Sequence, residues 1–516
     1  MSTHQGVVGA GCVQWALRRT VVCAAAVVVT GNANAQDSPG PARSFTVEPS
    51  VALKQTFTDN RDLTTIKASE SITELSAGVR LASNRGALRG TLDYTLTGSV
   101  YAKKGDANEL RHLLGAAATA ELVEGMAFVD MRASYARQAI SAFGTQSTDN
   151  SLVNGNRTDV GTLWLSPHLR GNVGGVARYL ARASVETTRA KGSDAADVDN
   201  ASLALRLDSP GTQRNLAWFA EATHQVSDFK RGRRTFDDRL RAGASAVVGT
   251  DWRLGLTAGR ERSDLRELNG ASSNTYGALA EWSPSPRTVL SAEAEHRFFG
   301  NSHAIRFTHR TATTSWALSD SRDLASSSAQ GTGAFGSAYD LFFRQFASTE
   351  PDPAKRDTLV RDYLRVNNIN PNTVVVGGFL ASAVTLKRAQ TASAAFSGAR
   401  NTVTVQLSAS RDQRADQLAT VIDDLSTARE VRQRGTSVDW AYRLTPQSSV
   451  TLGLGYQRST SDTSALQSTL KSLAVLWTAP LGARSTVSAG LRRAEFDSPT
   501  NLYDENAIFA ALRMSF

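Results

Sequence analysis

The feature that most constrains this chain is a period-two alternation of apolar and polar residues that recurs along most of its length. In 401–410, Val403 and Leu407 share one parity, while Thr404 and Gln406 share the other. Successive side chains of a strand point to opposite faces, so the pattern predicts strands with one apolar and one wet face. The same alternation is found at 201–208, 288–298, 449–457 and 505–516.

The beginning of the chain has the pattern of an export signal. Arg18 and Arg19 precede an uncharged run at 20–31, and small residues follow up to Ala35. The run is shorter than the roughly 20 residues that a membrane-spanning helix requires. We therefore expect a Sec-type signal peptide over 1–35, cleaved near Ala35, and a short segment over 36–43.

Cleavage at that point would leave a chain without cysteine, because Cys12 and Cys23 both lie in the segment to be removed. A disulfide framework and a thiolate metal site are thereby excluded from the mature chain. Removal of two arginines and no acid leaves 55 basic and 48 acidic residues, a net charge of +7. We expect no cofactor and no nucleic-acid partner.

The connections between the alternating segments come in two kinds. Short turns occur at 83–86, 123–125 and 398–400, and longer polar connections at 140–157 and 413–430. Short periplasmic turns and longer external loops are typical of up-and-down outer-membrane barrels. We therefore predict an all-β, transmembrane, antiparallel β-barrel of about 22 strands over 44–516, located in the outer membrane and in contact with its lipid.

Arginines recur on the polar parity of the predicted strands, with acids such as Asp93 and Glu221 between them. A charged side chain facing lipid near the midplane costs roughly 2–4 kcal/mol for Arg or Lys, so these residues are expected to line a hydrated lumen. Either they are paired wall residues, or their excess favours an anionic solute. The lumen-lining candidates are Arg80, Arg132, Arg178, Arg182, Arg206, Arg239, Arg241, Arg253, Arg297, Arg306, Arg443, Arg492 and Arg513.

Five tryptophans fall on the apolar parity near turns or strand ends, as an interfacial aromatic belt requires. They are Trp218, Trp252, Trp282, Trp440 and Trp477.

The chain also ends on an alternating stretch in which Leu512, Met514 and Phe516 share one face. A terminal strand that ends on an aromatic residue resembles the signal read by the barrel-assembly machinery, which we expect to be a partner.

A barrel of 22 strands at about 4.8 Å spacing and about 40° tilt has a backbone diameter near 44 Å, so its lumen is wide unless something fills it. The long insertion 324–384 is the candidate, with helices predicted at 338–347 and 352–366. It would either fold into the lumen as a constriction or lie outside as a cap or on the rim, and the sequence leaves both open.

Two stretches, 307–323 and 370–412, resemble the family of outer-membrane β-barrel proteins associated with PEP-CTERM/exosortase systems. Asp320, in "WALSDSRD", stands where the family pattern leads us to expect an aromatic residue. The resemblance implies a role in exopolysaccharide or surface-polymer secretion, with an anionic polysaccharide and periplasmic export components as partners. It brings no catalytic residues.

Two alternatives belong to other classes of protein. One is a structural barrel or surface anchor without transport. The other is an outer-membrane hydrolase, for which His168 and His303 are the candidate residues, although no HExxH or G-x-S-x-G motif accompanies them. A TonB-dependent receptor shares the strand number, but no plug domain precedes the first strand. We therefore expect a conduit and not an enzyme.

Overall fold

The computed structural model is a single antiparallel sheet that closes on itself. Its first strand, β1 (Phe45–Thr58), pairs on one side with β2 (Glu70–Ser83) and on the other with β22 (Asn501–Ser515). Every other strand pairs with its two neighbours in sequence, so all 22 strands belong to one up-and-down barrel. The predicted fold class, a transmembrane β-barrel of about 22 strands, is confirmed.

The other strands follow one another around the barrel in chain order. They are β3 (Leu88–Tyr101), β4 (Glu109–Val123), β5 (Ala127–Ala139), β6 (Arg157–Val173), β7 (Ala177–Ala190), β8 (Val198–Asp208), β9 (Leu216–Phe229), β10 (Arg234–Val248), β11 (Trp252–Ser263), β12 (Ala271–Ser285), β13 (Thr288–Arg297), β14 (Gly300–Arg310), β15 (Thr314–Ala325), β16 (Thr385–Ser397), β17 (Asn401–Arg414), β18 (Glu430–Arg443), β19 (Ser449–Ser461), β20 (Gln467–Pro480) and β21 (Ser485–Ser498). Two short 3-10 helices, Gly105–Ala107 and Asp424–Ser426, lie in connections.

The structure describes most of the barrel and a few residues of the long insertion. The described ranges are 45–326 and 378–516 without 84–85, 193–196, 211–214, 421 and 464, together with 342, 343, 346, 356 and 359–361. The predicted signal peptide and the segment 36–43 lie outside these residues, as does most of both predicted helices of the insertion. Within the described residues, no helix is long and apolar enough to span a membrane.

The connections at the two ends of the barrel differ in length. At one end they range from two residues (286–287) to seven (209–215), and at the other end they include 59–69, 140–156 and 326–384. Gly174 and Gly175 form one of the short turns with positive φ angles of 53° and 73°, which glycine adopts without steric cost. By their length, the short turns mark the periplasmic end and the long loops the external end.

Apolar side chains cover the outer face of the wall. Leu163, Leu203, Leu240 and Leu256 are 59–72% exposed although they lie near the middle of their strands. In a soluble protein such residues would pack against a second layer, but here the sheet has none. They form the surface that contacts the hydrocarbon of the membrane.

All the tryptophans of the outer face lie at the periplasmic end. Each is within four residues of the turn end of its strand, and Trp252 stacks on Trp282 with ring centroids 5.8 Å apart. The set comprises the five predicted belt residues, Trp218, Trp252, Trp282, Trp440 and Trp477, together with Trp316. The aromatic belt is therefore one-sided, and tryptophan does not mark the outer-leaflet interface.

The closing seam joins the two ends of the chain through apolar pairs on the outer face. Leu53 lies opposite Leu512, and Val51 lies opposite Met514. The backbone N–H of Phe516 donates to the carbonyl of Pro49 at 3.0 Å. The last residues are therefore part of the ladder that closes the sheet, while their recognition by the assembly machinery stays a prediction.

Adjacent alanines in the middle of β4 give a direct test of the two faces. Ala116 lies opposite Leu92 on the outer face, and Ala117 lies opposite Thr91 on the inner face. We expect Ala116→Lys to lower the free energy of unfolding by about 2–4 kcal/mol, because the ammonium would face hydrocarbon. Ala117→Lys should cost less than about 1 kcal/mol, since the inner face is hydrated at this exposed position.

Denaturant titration of the barrel folded in lipid vesicles, followed by tryptophan fluorescence, measures both variants. Equal destabilisation by the two lysines would contradict the assignment of the faces.

Candidate conduit and its constriction

The strand registers place every candidate arginine on the inner face, on the parity opposite the exposed leucines. The set is Arg80, Arg132, Arg178, Arg182, Arg206, Arg239, Arg241, Arg253, Arg297, Arg306, Arg443, Arg492 and Arg513. The structure then divides the set in two, because some of these side chains are buried in ion-pair networks and others are exposed to the lumen.

Arg297 is the centre of the most buried network. Its guanidinium lies 2.8 Å from Glu261, 2.7 Å from Asp323 and 3.4 Å from Asp237, and its side chain is only 5% exposed. A buried charge with several hydrogen-bonded counterions stabilises the wall only while all partners are present. Arg297 therefore acts as a cross-link between β10, β11, β13 and β15.

A second set of ion pairs continues along the same wall toward the periplasmic end. Glu221 on β9 accepts from Arg206 at 2.9 Å and lies 3.4 Å from Arg241. Arg241 also contacts Glu293, and Arg239 contacts Glu295. Because these arginines are neutralised by wall carboxylates, this part of the set fits the structural interpretation of paired wall residues.

The periplasmic mouth has a different balance of charge. Among the inward-facing residues in the last four positions of each strand at this end, arginines outnumber carboxylates by nine to four. The arginines are Arg80, Arg89, Arg170, Arg178, Arg206, Arg253, Arg310, Arg443 and Arg513, and the carboxylates are Glu48, Glu121, Asp130 and Asp208. We call these nine arginines the basic ring. The basic ring includes three arginines, Arg89, Arg170 and Arg310, that the sequence pattern did not identify as lumen-lining candidates.

The basic ring is interrupted on one side of the barrel. At the periplasmic ends of β15–β17 and β19–β21 the inward-facing residues are small and uncharged. Ser315, Thr402, Thr404, Ser449 and Thr451 in this sector are each at most 7% exposed. By contrast, Arg89, Arg170, Arg178 and Arg513 on the rest of the ring are exposed. The lumen is therefore covered in one sector and open in the other.

Residues of the long insertion pack against the covered sector. Phe342 and Val360, both fully buried, form an apolar cluster with Ala317, Ala395 and Ala441. These three alanines face inward, because Trp316 and Leu318, the neighbours of Ala317 in sequence, are exposed on the outer face. At these residues the insertion lies inside the barrel.

The position of this cluster also defines how deep the insertion reaches. The insertion leaves and re-enters the wall at Ala325 and Thr385, which pair at the external end. Ala317, Ala395 and Ala441, in contrast, lie within four residues of the periplasmic turns. Phe342 and Val360 therefore lie in the lumen near its periplasmic mouth, and they narrow the conduit at that level.

The external mouth is covered by the loop 140–156, which folds inward. Its Asp149 carboxylate lies 2.9 Å from Lys54 on β1 and contacts Arg492 on β21, and the Arg492 side chain is 8% exposed. Tyr503 donates to the carbonyl of Gln146 at 2.5 Å. The loop, which joins β5 to β6, thus bonds to β1, β21 and β22, and these contacts hold it over this part of the opening.

Other external loops complete this cover. The N–H of Leu380 donates to the carbonyl of Ile140 at 3.2 Å, and Asp424 accepts from the N–H of Ala142 at 2.7 Å. Phe143, Phe379 and Leu425 are buried together in one apolar cluster. Sequence periodicity could not reveal this arrangement, since the loops have no repeating pattern and their contacts join distant parts of the chain.

The charges around Asp149 keep its carboxyl group ionised and therefore paired with Lys54 and Arg492. Burial by itself would raise the pKa of the carboxyl, but the charges of Lys54 and Arg492 and their hydrogen bonds outweigh it and hold the pKa well below its usual range. Because the pKa of Asp149 is lower in the folded state than its unfolded-state value of about 3.9, its ion pairs stabilise the folded loop fully at any pH above that value. This stabilisation is lost only as the pH falls through the lower pKa of the folded state. The loop is therefore locked at neutral and mildly acidic pH.

The two candidate histidines of a hydrolase lie on opposite faces. His303 is on the outer face and bonds to Asp320 at 3.0 Å. His168 faces the lumen, where Ser166 and Asp130 are nearby, but Arg182 donates to both of them at 2.9 Å. Among the described residues, no hydrogen bond joins His168 to a serine, and no cluster of His, Asp or Glu side chains could hold a metal ion.

No protein-family profile and no curated protein matches the chain. Among solved structures, it is similar to a mutant of the ferric enterobactin receptor PfeA from Pseudomonas aeruginosa (10% identity, 91% of this chain, 80% of that chain, TM-score 0.44). It is also similar to the FrpB iron transporter from Neisseria meningitidis (11%, 91%, 82%, 0.45) and to Pseudomonas aeruginosa OccK2 (11%, 91%, 98%, 0.34). Similarity this distant carries no functional information.

Substitution of Asp149 tests the cover of the external mouth. We expect Asp149→Asn to release 140–156, because Lys54 and Arg492 lose a shared counterion, with chymotrypsin cleaving at Phe143 or Leu152 about tenfold faster. The wild-type cleavage rate, corrected for enzyme activity, should be constant between pH 5 and 8. Asp199→Asn, which breaks an exposed pair with Arg189, is the control. A variant as resistant as the wild type would show that Asp149 does not hold the loop.

Proposed function

We propose that the protein is an outer-membrane conduit with a narrowed lumen that prefers anionic solutes. The observation that carries this proposal is the asymmetry of the periplasmic mouth. Phe342 and Val360 of the insertion pack on β15, β16 and β18, where Arg443 is the single member of the basic ring, and the sector left open carries the other eight arginines. A solute that enters from the periplasm therefore meets exposed guanidinium groups first.

Rings of charged side chains select the sign of the permeating species. Arginine suits carboxylate and phosphate groups in particular, because its planar fork donates two parallel hydrogen bonds. Arg89, Arg178 and Arg513 lie on β3, β7 and β22, so they approach the opening from different directions. Their spread around the mouth favours an extended anionic chain or several small anions over one compact ligand.

The finer proposal concerns the solute. The resemblance of 307–323 and 370–412 to barrels of PEP-CTERM/exosortase systems supports an anionic exopolysaccharide or surface polymer as cargo, delivered by periplasmic export components. The basic ring is consistent with such a cargo, since acidic polysaccharides carry carboxylates along their length. This part of the proposal rests on the resemblance and on charge.

One observation favours a second candidate, a structural barrel without transport. The loop 140–156 is tied to β1 and β21 through Asp149, and several arginines are neutralised in pairs. A permanently closed barrel would have both features. Conductance decides between the two, because a conduit must open when its cover or its insertion is displaced.

Removal of the insertion tests the constriction. We expect a variant without 327–377 to show at least about twofold higher single-channel conductance in planar bilayers, because the covered sector would fill with water. Phe342→Asp with Val360→Asp, which places two charges against Ala317 and Ala395, should have a similar effect without shortening the chain. Unchanged conductance in both variants would refute a constriction formed by the insertion.

Neutralisation of the basic ring tests the preference for anions. We expect Arg89→Gln with Arg178→Gln and Arg513→Gln to lower the anion-to-cation permeability ratio several-fold, measured as the reversal potential in a KCl gradient. The control removes the same charge at the external end through Lys103→Gln, Lys104→Gln and Lys191→Gln. If both triple variants shift the ratio equally, the ring is not the selective element.

The same ring variant, introduced into a deletion strain of the source organism, tests the cargo. Reduced secretion of an acidic polymer would support the finer proposal. Normal polymer secretion by the deletion strain would remove the polymer from the proposal while leaving the anion-selective conduit intact.

A further inference from the structure

A second group of arginines lies on the outside of the barrel. Arg388 on β16, Arg411 on β17 and Arg434 on β18 have the same parity as Leu407 and Trp440, which are exposed on the outer face. These residues are therefore on the membrane side of the wall and do not line the lumen. Side-chain charge of this kind is costly in hydrocarbon, so its presence there requires an explanation.

The strand registers bring these outer arginines into direct opposition. Arg322 lies opposite Arg388, Arg388 opposite Arg411, and Arg411 opposite Arg432, which forms a row across β15–β18. A second pair, Arg434 and Arg458, continues it onto β19, and Lys471 on β20 extends it further. Like charges directly opposite one another destabilise a sheet. We call these seven basic residues the outer basic row.

The wall supplies too few counterions for this row. Asp320 pairs with Arg388 at 2.6 Å, and Glu430 contacts Arg411 and Arg432. Across the barrel residues that the structure describes, no carboxylate forms an ion pair with Arg434, Arg458 or Lys471, whose side chains are exposed. Glu495, which lies opposite Lys471 on β21, pairs with Arg493 at 2.7 Å. Seven basic groups against two carboxylates leave a net charge of +5 on this face. The Asp320 that departs from the family pattern is thus one of its two counterions.

The height of the row places it at the outer leaflet. Arg434 and Arg432 lie six and eight residues beyond Trp440 on β18, which at ~3.4 Å per residue and about 40° tilt is about 16 and 21 Å above the tryptophan belt. Arginine side chains extend further toward the interface while their stems stay in the apolar layer. The guanidinium groups therefore reach the level of the outer-leaflet headgroups, where tryptophan is absent from the described wall.

The outer face of β3 lacks such a row. On β3 the outer face is apolar from one end to the other, through Leu88, Leu92, Leu96 and Val100. Outward arginines on β11, Arg260 and Arg262, lie opposite Leu240 and Asp238 and not opposite other basic residues. The row of opposed basic residues therefore belongs to the sector β15–β20. This sector is also the one whose inner face is covered by the insertion.

We propose that the outer basic row binds the phosphate groups of a phosphorylated glycolipid of the outer leaflet. The guanidinium groups match phosphate in geometry and charge, and the apolar residues below them, among them Leu407 and Leu454, offer a surface for acyl chains. A bound phosphate would supply the counterions that the wall lacks. A second copy of the chain is a poor occupant, since a two-fold interface would place the same arginines against each other.

Native mass spectrometry of the full-length barrel in non-ionic detergent tests this proposal. The probes are bisphosphorylated lipid A and the same glycolipid after removal of its phosphates. We expect the wild type to bind the phosphorylated form and to bind the dephosphorylated form at least about tenfold more weakly. Equal binding of the two forms, or binding of neither, would overturn the proposal, and this comparison requires no variant.

A matched pair of variants locates the site. Arg434→Gln with Arg458→Gln should weaken binding of the phosphorylated glycolipid at least about tenfold. Arg260→Gln with Arg262→Gln removes the same charge from exposed outward positions on β11 and should leave binding unchanged. Heat-modifiable migration in gels verifies that each variant is folded. Equal loss in both variants would refute the row as the site, as would a dimer of the wild type that the first variant abolishes.

Discussion

The structure depends on one constraint, which is that hydrocarbon offers no hydrogen-bond partner to a backbone N–H or carbonyl. A sheet in the membrane must therefore have no free edge. Pairing of β1 with β22 meets this requirement, and the outward pairs Leu53 with Leu512 and Val51 with Met514 make the seam as apolar as the rest of the wall. Closure also fixes the parity of every strand, because a slip of one residue would turn all leucines inward.

In the closed sheet the outer face contacts lipid, while the inner face has two parts, one packed against the insertion and one facing water. Where the insertion packs, the wall is built from Ala317, Ala395 and Ala441, whose small side chains leave room for Phe342 and Val360. Where water fills the lumen, the wall carries charges of both signs. The small side chains of this part of the wall therefore make room for the two insertion residues, and Asp439 and Arg443 flank Ala441 on the same inner face of β18.

Period-two alternation, together with the two kinds of connection, predicted the fold and the approximate strand number, and its polar parity placed Arg206 and Arg297 on the inner face. It was not sufficient for charge on the outer face. In β18, Arg432 and Arg434 have the parity of Trp440, and the expectation that charge marks the lumen fails there, because the outer end of a strand lies in the headgroup layer. The long-range contacts of Asp149 could not be predicted either, since they depend on register between strands distant in sequence.

Arginine has three roles in this barrel, and the counterions decide which one applies. Arg297 is surrounded by three carboxylates and buried, so it stabilises the wall and has no capacity for a solute. Arg178 faces the open part of the lumen opposite Asp208, which pairs with Arg206, so under the proposed function its hydrogen-bond donors are available to an anion. Arg434 faces outward without a carboxylate, where only the membrane can supply the missing charge. A basic residue in a barrel is thus informative about function only after its carboxylates have been counted, because the same side chain is structural when it is neutralised and a binding group when it is not.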